Sequence, residues 1–435
     1  LALALTAASL LISVVQHAIN QEPMFLRVPT IMWPLIFLAT VVVVTARFTG
    51  GIGLNVAGSA SVGGRRYVWL LGAIAGYFAL ASQRIPPDKA KLCATAFFLS
   101  PVTSAISDLT SFMGPSAVYY IFLLFPSNGA GPVETDAFTG PVQIERLGGI
   151  TTACTAVFST MLALLGIQGI FTLRKPWRAA LFMTVGILSM FGGFRSSLLY
   201  LVLTVGMVFV LEGLLSSRLL PSLVCAVVLG CVILIPFTDR LPLSMQRALT
   251  VVPYLNLDES AVASAKGSTE WRLGMWRQVT PQIPRYLFLG KGYSINATEL
   301  EKLKEDVQGD EGEAGAILAG DYHNGPLSVI MPFGIAGVIG FLWFIGAGIK
   351  VLYFNYKYGD PALRHVNTFF LAVFLTKVIF FFTIFGSLYS DMAIFTGLLG
   401  VNVSINGGMR QAVRVPKKRV SDAWKLARAR PAVAN

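Results

Sequence analysis

Charge is scarce in this chain. Only 13% of its 435 residues are Asp, Glu, Lys or Arg, against 54% hydrophobic, and the mean hydropathy is +0.67. A water-soluble globule cannot cover its surface with that composition. Histidine is scarcer still: His17, His323 and His365 are the only ones. The cysteines, Cys93, Cys154, Cys225 and Cys231, all fall in apolar runs. They read as small buried hydrophobes, not as disulfides or metal ligands. No His/Cys cluster has zinc spacing. Alternating segments of the outer-membrane barrel type are absent. So are paired carboxylates, a Ser-His-Asp pattern and a Walker loop. Gly50-Gly-Ile-Gly53 has no strand before it and reads as a turn.

Apolar runs of spanning length recur instead. The sequence predicts an all-α polytopic membrane protein with about twelve spans. These are Leu1–Gln16, Pro29–Phe48, Tyr67–Ser82, Leu92–Ile106, Phe112–Phe125, Gly148–Phe171, Trp177–Phe191, Ser197–Leu211, Leu219–Phe237, Gly325–Phe354, Val366–Phe385 and Leu388–Ile405. Pro101 and Pro115 fall in the fourth and fifth, which could form one broken element. The chain opens at Leu1, inside an apolar run and without a methionine, so the natural N-terminus is expected to lie further upstream. The organisation expected is nine spans in 1–237, a hydrophilic loop in 238–322, three spans in 323–408 and a basic tail in 409–435.

Basic residues orient such a chain. With both termini on the cytoplasmic side, that side holds Arg47, Arg65, Arg66, Arg174, Lys175, Arg178, Arg218, Lys350, Lys357, Arg364 and the tail. The short outer loops hold only Arg27, Arg84, Lys89, Lys91, Arg146 and Arg195. The 238–322 loop then faces outward, into the periplasm of a cell with two membranes. The formal net charge of +12 is largely this bias. The tail is expected to lie on anionic lipid, and nothing in it signals nucleic-acid binding.

The long loop has three parts. Arg240–Leu249 is amphipathic and could lie on the membrane surface. Thr269–Val279 reads as a helix on which Arg272 and Trp276, four apart, share a face. Thr298-Glu-Leu-Glu301 is a capping box for Leu300–Val307. The acidic, glycine-rich stretch Gly309–Gly320 that follows reads as a mobile flap.

The loop ends at Asp321-Tyr322-His323-Asn324-Gly325-Pro326-Leu327, where a long apolar helix begins. His17 lies in the first span and His365 at the inner face. His323 alone sits at the outer boundary, where an imidazole can exchange protons near neutral pH. Asn324 either orients that ring or the acceptor, or only caps the helix. The positive helix end is expected to lower the His323 pKa. Arg195, Arg272, Arg277 and Arg285 lie on the same face, and arginine forks match phosphate oxygens. The alternative for any one of them is interfacial snorkelling. Lys377 is mid-span. It serves the site or pairs structurally with Asp391 or Glu145. The Gly334/Gly337/Gly340 spacing suits close helix packing.

Arg272-Leu-Gly-Met-Trp276, Phe288-Leu-Gly290-Lys-Gly292-Tyr, His323-Asn324 with Leu327, and the glycine-spaced helix together resemble the O-antigen ligase and polymerase superfamily. The layout, with its large outer loop between the ninth and tenth spans, is similar too. Arg195-Ser196 resembles that family's outer Ser-Arg-Gly turn, although Ser197 stands where the glycine is expected. Arg146-Leu-Gly-Gly149 resembles its Arg-x-x-Gly. The resemblance implies an inverting, metal-independent glycosyltransferase without cofactor, taking a glycan from undecaprenyl diphosphate. The ligases pass it to the lipid A core, the polymerases to another lipid-linked repeat. His323 and Asn324 would be catalytic. Arg195, Arg272, Arg277 and Arg146 would bind the diphosphate, with Tyr322, Lys377 and Lys291 in support. A small-solute transporter is the remaining alternative, but transporters place polar residues at mid-membrane in repeated halves. Here the polar cluster is at one face and no repeat is visible.

Overall fold

A computed structural model describes residues 2–20, 25–49, 64–109, 144, 146–295, 316–317 and 320–412. Among these residues the structure is all-helical, with no strand. Every expected span is occupied by a helix except Phe112–Phe125, which lies outside the described residues. In chain order these helices are α1 (Ala2–Asn20), α2 (Pro29–Phe48), α3 (Gly64–Leu80), α4 (Pro87–Leu99) with its short extension α5 (Ala105–Leu109), α6 (Gly148–Ile170), α7 (Pro176–Leu188), α8 (Arg195–Leu211) and α9 (Leu219–Leu234). The loop adds α10 (Leu243–Leu249), α11 (Glu259–Val279) and α12 (Ile283–Tyr286). The last three are α13 (Gly325–Tyr358), α14 (Arg364–Thr383) and α15 (Leu388–Asn406).

Only six helices among the described residues are long and apolar enough to cross a membrane. The expected twelve therefore agree in position more than in length. At 13 residues, α7 is about 20 Å long, well short of a hydrocarbon core. It stops because the chain tightens into a 3-10 turn at Ser189–Gly192 and then reverses at Gly193, whose φ of +66° favours glycine.

The packing fixes which helix ends lie together. Ser294 donates to the Thr49 carbonyl at 2.7 Å, and the Tyr293 N–H donates to the Tyr67 hydroxyl at 2.7 Å. The end of α2 and the start of α3 thus lie at the His323 end of the bundle. At the opposite end the Leu26 N–H reaches the Ala81 carbonyl at 2.8 Å, and the Ile85 N–H reaches the Ser404 carbonyl at 3.1 Å. This corrects the expected loop sides. Arg47, Arg65 and Arg66 belong with His323, whereas Arg27, Arg84, Lys89 and Lys91 belong to the far end. The far end still holds the excess of basic residues, because the exchange trades three for four.

The core is aromatic. Phe341, Phe374, Phe381 and Phe395, from α13, α14 and α15, are fully buried and pack edge to face or tilted. Polar ties hold the same helices. Asn355, Asn367, Asn402 and Asn406 hydrogen-bond one another at the far end. Lys377 Nζ lies 2.7 Å from Asp391 Oδ1. Of the two readings for Lys377, the geometry supplies the structural pair, joining α14 to α15. Glu145, the other partner considered, lies outside the described residues.

The long loop is tied into the bundle at a break in α13. Pro332 has no N–H, and Gly334 leaves helical geometry at φ +60°. The turn Gly290-Lys-Gly292 fills the break: the N–H groups of Lys291 and Gly292 donate to the Met331 and Pro332 carbonyls at 2.7 and 3.0 Å. In return the Ile335 N–H donates to the Leu287 carbonyl at 2.6 Å. Gly334 thus makes a kink against which the backbone of Leu287 and Phe288 packs closely, while Gly340 packs on Phe37 and Leu38 of α2.

Two expectations for the loop change. Helix α10 does not lie on a surface, since Ser244 to Leu249 are buried throughout. Helix α11 begins ten residues before Thr269, because Asp258 caps it by accepting from the Ser260 N–H at 2.8 Å. The capping box at Thr298 and the segment 309–315 of the expected flap lie outside the described residues, as do Gly50-Gly-Ile-Gly53 and the tail beyond 412.

Candidate active site

The segment before α13 is held from three sides. Tyr322 is buried with Met275 and Val279 of α11 and Leu327 and Met331 of α13. The Trp276 indole donates to the Tyr322 carbonyl at 2.8 Å. Asn324 Oδ1 accepts the Leu327 N–H at 3.1 Å. Asn324 is therefore the helix cap, its side-chain oxygen accepting that bond. Between these anchors His323 takes φ +47°, a left-handed conformation costly for any residue but glycine. Such strain persists only where the surroundings enforce it, and here Tyr322 and Asn324 do so.

The His323 ring lies between Trp271 of α11 and Phe385, with centroids 5.3 and 5.0 Å away. Its Nδ1 is 3.7 Å from Asp321 Oδ1. Both atoms are buried without a hydrogen-bond partner among the described residues. Burial holds the imidazole below its ordinary pKa; Asp321 opposes the shift, and the Arg272 charge adds to it. The direction agrees with the sequence expectation, and its largest cause is burial.

The arginines converge on the same place. The Arg195 guanidinium donates to the Ala265 carbonyl and to Thr269 Oγ1, both at 2.9 Å. Thr269 is one turn before Arg272 on the same face of α11. Arg272 Cζ stands 5.8 Å from the Phe385 ring, so Phe385 touches both Arg272 and His323. Arg146 lies over Phe194, the residue before Arg195. Burial lowers the Arg272 pKa most, followed by the like charges of Arg195 and then Arg146. Three guanidinium groups so placed repel one another unless an anion joins them.

The charges acting on Arg272 do not include Arg277. Five residues along a helix is about 140° around it, and Arg277 is exposed. Arg285 lies over Tyr286. Lys291 holds the α13 break through its backbone. Lys377 serves its pair with Asp391.

Two further residues complete the surroundings. Arg66 stacks over Tyr389 at 4.4 Å and acts on Tyr322. The charge count puts it on the opposite side, and the docking of Ser294 on Thr49 and of Tyr293 on Tyr67 reveals its place. Arg247 is buried, donating to the Gly193 carbonyl at 2.6 Å and to Ser264 Oγ at 2.7 Å. It thereby links the turn before Arg195 to the helix carrying Arg272.

Among the described residues no group of three or more His, Cys, Asp or Glu is placed to hold a metal. None of the curated proteins matches this chain. A family model described as O-antigen ligase does match it over residues 179–342, a span holding Arg195, Arg272 and His323 but not Arg146 or Arg66. Over that span the chain is similar to the O-antigen ligase superfamily.

Proposed function

We propose that this protein is a multi-pass membrane glycosyltransferase of the O-antigen ligase type. It moves a glycan from undecaprenyl diphosphate to an acceptor hydroxyl, with the lipid A core as the acceptor. The site faces the periplasm from the inner membrane. The far end, with its basic excess, is cytoplasmic. The observation that carries this reading is the convergence of Arg195, Arg272 and Arg146 beside His323.

The chemistry follows from those groups. As the anomeric C–O bond breaks, its electron pair leaves on the diphosphate, and fixed guanidinium groups oppose that charge where it develops. The acceptor oxygen bonds to the anomeric carbon from the opposite face, and its proton passes to His323. A neutral imidazole is needed for that step, and burial of His323 favours it. Arg277, exposed and away from the cluster, is dropped from the diphosphate group. No divalent metal is needed for these steps, so a chelator should leave the rate unchanged.

The test is product analysis with purified protein, a lipid-linked donor and each acceptor in turn. Glycan joined to lipid A core supports the ligase reading. Chain-extended lipid-linked glycan alone would make the protein a polymerase. No transfer to either acceptor from a bound donor would remove the enzyme.

A further inference from the structure

We infer that Asp321 is a positioning residue for His323, forming with it a carboxylate–imidazole dyad that Tyr389 and Arg66 hold from behind. The inference rests on the transferase reading, and it assigns to Asp321 the orienting task that the sequence suggested for Asn324.

Asn324 Oδ1 caps α13, and His323 Nδ1 has no hydrogen-bond partner among the described residues. Asp321 is free to act. Its Oδ1 is the polar atom facing Nδ1, at 3.7 Å, and neither atom has another partner among the described residues. That distance is beyond a hydrogen bond but within reach of one small torsional adjustment. Catalytic hydrogen bonds are often long before substrate binds. The Asp321 backbone is fixed, its N–H donating to the Ala316 carbonyl at 2.9 Å. The Asp321 carboxylate acts on the Tyr389 hydroxyl, and Arg66 stacks on the Tyr389 ring. These contacts come from α15 and α3, so two distant segments support one carboxylate.

The consequence is a fixed tautomer. With Nδ1–H directed at Asp321, Nε2 carries the lone pair and takes the acceptor proton. The imidazolium formed then lies against a carboxylate, which stabilises it. The charged groups facing the ring are Asp321, from its own segment, and Arg272, from α11. Phe385 and Trp271 close its two faces without charge. Asp321 and Arg272 therefore pull in opposite directions, and removing one leaves the other in control.

The experiment titrates His323 by NMR in the full-length protein labelled at histidine, and measures the pH–rate profile beside it. Only three histidines are present, and His323→Gln assigns the signal. In Asp321→Asn the His323 midpoint should fall, and the nitrogen shifts should lose the Nδ1–H tautomer preference. In the rate profile kcat should drop on the order of ten- to a hundredfold with KM little changed, and the acid limb should move to lower pH. Tyr389→Phe, which keeps the ring, should shift the midpoint in the same direction by less, and it serves if Asp321→Asn does not fold. An unmoved His323 midpoint and tautomer in both variants would overturn the dyad. Because the titration needs no substrate, it separates this inference from the transferase reading. A shifted midpoint in a protein that transfers nothing would keep the dyad and sink the function.

Discussion

At the scale of the residue, His323 is where strain, burial and proton chemistry meet. Its left-handed backbone is enforced by neighbours that it does not itself touch through its ring. His323→Gln keeps hydrogen bonding but loses basicity, so transfer should fall roughly a hundred- to ten-thousand-fold. Expression and donor binding should be unchanged, which a donor-binding assay on the purified variant would check. The sign of the pH dependence follows from the same group. The base works only when neutral, so the rate drops as pH falls through the His323 pKa. Burial and Arg272 hold that pKa below its ordinary value. The acid limb should therefore lie below the usual imidazole range of about 6.5. A near-normal turnover in His323→Gln would reduce the residue to a positioning element.

Arg195 and Arg272 answer a different question at this scale. Lysine keeps the charge but not the fork. Arg195→Lys would lose the guanidinium bonds to Ala265 and Thr269, and Arg272→Lys would lose the guanidinium placed over the Phe385 ring. Each should cost at least about tenfold in kcat/KM. If they grip one diphosphate, the double variant should lose less than the product of the two single losses, since neighbouring groups are not additive. Strict additivity in such a cycle would separate the two arginines functionally.

Among the elements, the break in α13 decides how the loop is held. At Gly290 an added Cβ would lie 2.1 Å from the Pro332 carbonyl oxygen, and at φ +81° it would also be strained. Gly290→Ala should therefore destabilise the protein by about 1–3 kcal/mol and lower activity, because the loop carrying Arg272 is anchored there. Gly346, further along the same helix, meets nothing within 4 Å. Gly346→Ala should be neutral or slightly stabilising. Comparing the two melting temperatures isolates the docking from helix propensity. Arg247→Leu should also melt early, since it leaves the Gly193 carbonyl and Ser264 buried without their charged partner.

These elements mark what the sequence could disclose. Helix positions were legible because apolar runs and Pro or Gly boundaries are local signals: α2 is Pro29–Phe48 in both readings. The meeting of Arg195 with α11 was legible only as a shared membrane face, since the contact spans 70 residues of chain. The burial of α10 was not legible, because an amphipathic seven-residue stretch looks the same on a lipid surface and under a loop. Nor was the role of Asn324 legible, since an Asn that caps a helix and an Asn that orients a ring look the same in sequence.

For the whole molecule, the decisive question is which helix ends share a side. Charge counting placed Arg65 and Arg66 opposite His323. The hydrogen bonds from Ser294 and Tyr293 to the ends of α2 and α3 place them with it. Charge counting failed because it takes each apolar run as one crossing: the end of α5 meets the start of α6 through the Ile150 N–H to Asp108 bond, so one crossing too many was counted between Lys91 and Arg146, and every loop before it was inverted. The far-end bonds of Leu26 and Ile85 give the complementary half of the same result. Single cysteines in a background lacking the native four would read the arrangement directly. Arg65→Cys in α3, Val262→Cys in α11 and Lys89→Cys in α4 all replace exposed residues. A membrane-impermeant thiol reagent added to intact spheroplasts should label the first two together, on the side of the site. Lys89→Cys should react only after permeabilisation. If Arg65→Cys instead labels with Lys89→Cys, then the docking of the long loop on α2 and α3 is wrong, and Arg66 cannot support Asp321.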